Sequence, residues 1–168
     1  MISGLDKLRK LAVKQVVPTA SRQCDTRRVL VVDDEPEIVR VFGLMIRTAF
    51  PSVDVDRAYD GTQALATFQQ HHHAVVILDI NLGAVNGENV YRQIRGWCDA
   101  HEWEMPRIIF CTGYTPSPVL KRLVEPGVNR LMLKPAGTEV VVGTVQEVLT
   151  AVLGTPPECQ ISFATAAA

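Results

Sequence analysis

Short aliphatic runs separated by longer segments of helical period recur five times between residues 29 and 153, and this alternation constrains the fold more than any other feature of the chain. The runs at 29–32, 53–58, 75–78, 107–111 and 130–133 are short enough for strands. They are mostly apolar on both faces, so both sides of the sheet they form must be covered. Between and after them, segments 36–50, 61–71, 87–98, 117–124 and 138–153 read as helices. The first spaces Ile38, Phe42, Met45, Ile46 and Ala49 along one face and opens at Pro36, while Gly154 and Pro156 close the last. Strands joined by right-handed helical crossovers give a doubly wound α/β fold with a five-stranded parallel sheet, whose ligands gather at the carboxyl ends of the strands.

Length allows one such domain, at about 28–153, with an arm at 1–27 before it and a tail at 154–168 expected to be flexible. No apolar run approaches the roughly 20 residues of a membrane span, and no secretory signal is legible, so the expected compartment is cytoplasmic. Cys24, Cys98, Cys111 and Cys159 lack the spacing or density of a disulfide scaffold and are expected to be reduced. The net charge of −1 conceals an asymmetry. Residues 1–28 carry seven Lys/Arg against two Asp, and the remainder is acidic. Residues 2–16 have apolar positions near helical spacing opposite basic ones. That arm reads as a solvated extension, or as a helix that packs on the domain, a second copy, a kinase or an anionic surface.

Polar groups fall where the strands stop. The stretch "VLVVDDEPE" ends the first strand in Asp33 and Asp34, "VVILDINLG" ends the third in Asp79, "IIFCTGY" the fourth in Thr112, and "LMLKP" the fifth in Lys134. An acidic pair after a strand can be merely a helix cap. The full set, each member at its own strand end, points further. Three carboxylates brought together repel and need a cation, and oxygen ligands favour a hard ion such as Mg²⁺ or Mn²⁺. A carboxylate, a divalent ion, a hydroxyl and an ammonium together suit phosphoryl transfer, with the carboxylate able to form an acyl phosphate.

These motifs resemble the receiver domain of two-component response regulators, such as the chemotaxis receiver. The resemblance implies a flavodoxin-like (βα)5 fold with strand order 2-1-3-4-5. It implies that Asp79 is the phosphoacceptor, that Thr112 and Lys134 engage the phosphoryl group, and that Asp33, Asp34, Asp79 and the backbone carbonyl of Asn81 hold Mg²⁺, Asp33 mostly through water. Gly87 matches the turn glycine into the third helix, and Asn81 and Tyr114 match the positions that tune hydrolysis of the acyl phosphate. The implied partners are a sensor histidine kinase or histidine phosphotransfer protein and a downstream protein target, and a homodimer is one option.

Two positions depart from the pattern. Leu131 stands where the family usually has a Tyr or Phe that swings inward on phosphorylation, and Gly83 where a Pro is common. The residues outside the domain are too few for a helix-turn-helix, so direct nucleic-acid binding is not expected and the chain reads as a stand-alone receiver signalling through protein contact. The alternative is a constitutive scaffold with a weakened switch. A small-substrate phosphohydrolase is a third option, but "DINL" lacks the second Asp such enzymes place two residues on. His71, His72 and His73 read as a solvated helix end, Cys111 as a buried small hydrophobe, and Trp97 and Trp103 as belonging to a loop whose shape is open.

Overall fold

The computed structural model describes residues 22–83, 85–124 and 128–162. Helix 2–16 of the sequence reading lies outside them. The elements are β1 (Asp25–Val32), α1 (Pro36–Ala49), β2 (Asp54–Ala58), α2 (Gly61–His71), β3 (His73–Asp79), β4 (Asn81–Leu82), β5 (Val85–Asn86), α3 (Gly87–His101), β6 (Arg107–Thr112), α4 (Pro118–Leu123), β7 (Arg130–Leu133) and α5 (Thr138–Leu153). The five long strands form one parallel sheet in the order β2-β1-β3-β6-β7, which is the expected 2-1-3-4-5 once the small antiparallel β4–β5 ribbon is set aside.

Strand alternation splits the core in two. Val29, Val31, Val75, Ile77 and Ile109 face α1 and α5, whereas Leu30, Val32, Val76, Leu78 and Phe110 face α2, α3 and Leu120 of α4. β3, at the centre, is buried at every position, as a strand covered on both sides must be. Helices α2, α3 and α4 begin where a side chain satisfies the first turn, Asp60, Asn86 and Ser117 respectively, while Pro36 occupies the first turn of α1. The Lys134–Pro135 peptide is cis.

Several boundaries differ from the sequence reading. β1 starts four residues earlier than the apolar run, because its polar half is held by charge rather than burial: Arg28 reaches Asp25, Asp54 and Asp56. The triple-histidine stretch is not a solvated helix end. Only His71 lies in α2; His72 takes a left-handed conformation with φ of 51°, and this turns the chain so sharply that His73 becomes the fully buried first residue of β3. α3 runs past residue 98 to His101, with Trp97 inside the helix and not in a loop, and Glu102, also left-handed, brings Trp103 to stack on the His72 ring at 3.6 Å. The tail is not free through its described part: the Gln160 N–H donates to the Ala49 carbonyl at 2.8 Å, and Cys159 and Ile161 pack on the α1/α5 side of the core. Arg22, likewise, is hydrogen-bonded to Glu102 and Glu104 rather than part of a detached arm.

Candidate functional site

The parallel register brings the strand ends to one edge. Val32 of β1 lies beside Leu78 of β3, and Asp79 beside Cys111 of β6, so the residues that follow these positions converge. Asp33 leaves β1 with its N–H donated to the Ala58 carbonyl at 3.2 Å and its Oδ1 accepting from the Glu35 N–H at 3.0 Å, which turns the chain into α1. Asp79 ends β3, buried, with Oδ2 accepting from the Asn81 N–H at 3.1 Å. Lys134 leaves β7 with its N–H donated to the Thr112 carbonyl, and its ammonium then lies 2.5 Å from Asp33 Oδ2 and 3.1 Å from Asp79 Oδ1.

Asp33, Asp34 and Asp79 each offer a carboxylate oxygen within 4.8 Å of the others. Asp33 and Asp79 are buried and Asp34 is exposed, so the cluster opens to solvent on one side. The opening is a cleft of about 450 Å³ lined by Asp34, Glu35, Asp79, Asn81, Gly113, Tyr114 and Lys134. Another hollow, about 400 Å³, lies at the opposite edge of the sheet among residues such as Cys24, Thr26 and Arg107 and holds none of these groups.

Burial pushes the Asp79 carboxyl above its usual range, while the Lys134 ammonium and the Asn81 N–H oppose that shift. Burial pulls the Lys134 ammonium down, but its hydrogen bonds to Asp33 and Asp79 more than reverse this and leave it above its ordinary value, so it is charged. Thr112, also buried, has its Oγ1 accepting from the Tyr114 N–H at 3.1 Å and within 3.3 Å of the Tyr114 carbonyl. The hydroxyl is therefore held by its own loop and not by the carboxylates. Burial raises the Cys111 thiol far above its ordinary value, consistent with an inert core residue.

Residues 29–146 match the response regulator receiver domain family. The chain belongs to that family. Among curated proteins, the receiver is 32 % identical to the transcriptional regulatory protein KdpE of Mycobacterium tuberculosis (strain CDC 1551) over 111 residues, 66 % of this chain and 46 % of that protein. It is 28 % identical over 132 residues to the CAI-1 autoinducer sensor kinase/phosphatase CqsS of Vibrio cholerae, covering 79 % of this chain and 18 % of that protein. It spans less than half the length of either relative. Among solved structures, the chemotaxis protein CheY4 of Vibrio cholerae superposes with a TM-score of 0.59 at 26 % identity, over 72 % of this chain and 97 % of that one.

All five strand-end residues singled out from the sequence, Asp33, Asp34, Asp79, Thr112 and Lys134, thus lie at one edge, with Asn81 at the cleft wall. Two features were not legible. Gly87 packs so tightly that a Cβ there would lie 2.1 Å from the Asp79 carbonyl oxygen, a distance no side chain can occupy. Glu88 accepts a hydrogen bond from Ser117 Oγ at 2.8 Å across 29 residues of sequence, a contact that no local pattern announces.

Proposed function

We propose that this receiver takes a phosphoryl group on Asp79 from a histidine kinase or histidine phosphotransfer protein and signals through protein contact. The observation that carries this reading is the Lys134 ammonium lying against both Asp33 and Asp79 in a three-carboxylate cluster that opens to a cleft. An Asp79 carboxylate oxygen attacks phosphorus while the bond from phosphorus to the donor imidazole nitrogen breaks, and the nitrogen keeps the electron pair. The product is an acyl phosphate. Later attack of water on phosphorus breaks the new bond, restores the carboxylate and releases inorganic phosphate. Lys134 stays beside the phosphoryl oxygens, and the Thr112 hydroxyl turns from Tyr114 towards them.

The donor set fits a hard divalent cation, because three carboxylates against one ammonium leave two formal negative charges beside the cleft. Asp33, Asp34, Asp79 and the Asn81 backbone carbonyl would hold Mg²⁺ or Mn²⁺, which when bound neutralises charge on the phosphoryl oxygens. A second reading, a constitutive interaction module, is favoured by Leu131, which is half-buried against the α2/α3/α4 side of the core and has no ring to swing.

Incubation of the purified chain with acetyl phosphate and Mg²⁺, read by intact mass, tests the first reading. The native chain is expected to gain one phosphoryl group, and Asp79→Asn or a chelated sample none. Absence of any gain in the native chain would favour the constitutive module.

A further inference from the structure

We propose that Glu88 is a positioning residue that couples the phosphoacceptor to α4, a role that rests on the phosphorylation of Asp79 proposed above. α4 is short, six residues, and side chains hold it at both ends. At its start Ser117 Oγ accepts from the Leu120 N–H at 3.0 Å and donates to Glu88 Oε1 at 2.8 Å. At its end Asn129 Nδ2 donates to the Leu123 carbonyl at 2.7 Å, and Asn129 Oδ1 accepts from the Ile108 N–H. Leu120 is the one fully buried residue of α4, and Leu123 packs half-buried on the same core. A helix with so little apolar anchorage depends on these few polar contacts for its place.

Glu88 is tied to the reacting centre through the backbone. It follows Gly87, whose N–H donates to the Ile80 carbonyl at 2.8 Å and whose Cα packs directly on the Asp79 peptide. The Glu88 side chain is 12 % exposed, and its other oxygen is 4.0 Å from Arg92, a residue of its own helix. The Ser117 hydroxyl is thus its one short partner from another element among the described residues. From the other side, Ser117 ends the loop that starts at Thr112, so a movement of Thr112 towards Asp79 pulls on the same hydroxyl. The contact is made in this structure, and the proposed coupling gives it a second, broken arrangement on phosphorylation, as coupling between a site and a surface requires. In a chain with Leu131 where an aromatic ring usually reports the switch, this contact connects the Asp79 loop to α4 without one. Phosphorylation draws Thr112 inward, breaks the Ser117–Glu88 bond and frees the first turn of α4.

Hydrogen–deuterium exchange of the peptide containing 118–123 in the full chain, with and without acetyl phosphate and Mg²⁺, tests this while intact mass reports phosphoryl uptake on the same samples. In the native chain phosphorylation is expected to raise α4 exchange by about five- to tenfold, the scale of one lost hydrogen bond. Glu88→Ala, which leaves the Ser117 cap in place, is expected to take up phosphoryl normally, to exchange fast already, and to respond less than about twofold. Glu88→Gln keeps the acceptor and is expected to restore the native response. A Glu88→Ala chain that is phosphorylated and still shows the full native increase would overturn the link, as would a native α4 that does not respond when phosphorylated. A native chain that gains no phosphoryl mass would overturn the receiver chemistry itself, and this coupling with it.

Discussion

Gly87 and Lys134 show how tightly single residues bound this site. A methyl group on Gly87 would collide with the Asp79 carbonyl at 2.1 Å and approach Ile80 Cα at 3.0 Å, both backbone atoms that cannot rotate away. Gly87→Ala is therefore expected to lower unfolding stability by about 1–3 kcal/mol, the usual cost of overpacking, and to slow phosphoryl uptake because the Asp79 loop must shift. Urea titration and intact mass check the two effects separately. Lys134→Met removes the ammonium shared by Asp33 and Asp79, whose side chains are only 3 % and 5 % exposed. Leaving two buried carboxylates without it is expected to cost roughly 3–5 kcal/mol in the presence of a chelator. Saturating Mg²⁺ is expected to recover part of that loss, and equal urea midpoints with and without the metal would count against the carboxylates as its ligands. These five strand-end residues were legible in the sequence because each follows an apolar run whose end marks the sheet edge. Gly87 was legible only as a turn, since close approach of two backbones leaves no mark in composition.

At the scale of elements, β1, β2 and β3 are joined by a polar cluster below the core. His73 is fully buried, with Nε2 2.8 Å from Asp56 Oδ2 and Nδ1 without a partner, and Arg28 reaches the same carboxylate at 2.8 Å. Burial holds the His73 imidazole below its ordinary value of 6.5 despite Asp56, with His71 and Arg28 adding to the effect. Burial works against Asp56, but hydrogen bonds from His73 and Arg28 hold it below its usual range. With the imidazole neutral, Arg28 is the counter-charge. The folded chain thus binds fewer protons at His73 than the unfolded one, so this contribution is complete above pH 6.5 and is lost as pH falls towards the lower folded value. Thermal melts are expected to show a falling midpoint on that side of pH 6.5, and His73→Gln a flatter profile. A native profile that is flat from neutrality downwards would exclude His73 as a proton-linked group. The histidine stretch misled the sequence reading for a physical reason. Helical periodicity carries no sign of a left-handed residue other than Gly or Asn, and His72 makes that turn. The Ser117–Glu88 contact was hidden for a different reason, being a tertiary pairing between the starts of two helices.

At the scale of the molecule, the fold was the most legible level, because five apolar runs with intervening helical segments admit few arrangements. The ends were the least legible, since short docking contacts have no period. Ile161 packs on the α1/α5 side of the core, and Ile161→Ala is expected to lower stability by about 1–2 kcal/mol, less than the fully buried case because the side chain is only half-buried. An unchanged urea midpoint would show that the tail rests on the core without supporting it. The sheet edge brings the Lys134 ammonium against Asp33 and Asp79 beside an open cleft, and the chemistry of an acyl phosphate allows the proposed acceptor to be read at a single residue. Borohydride reduces an aspartyl phosphate to homoserine, so the chain can be treated with acetyl phosphate and Mg²⁺, reduced, digested and sequenced by mass spectrometry. Homoserine is expected at position 79 and nowhere else. Homoserine at 33 or 34 with Asp79 intact, or at no position, would contradict the assignment of Asp79 as the phosphoacceptor.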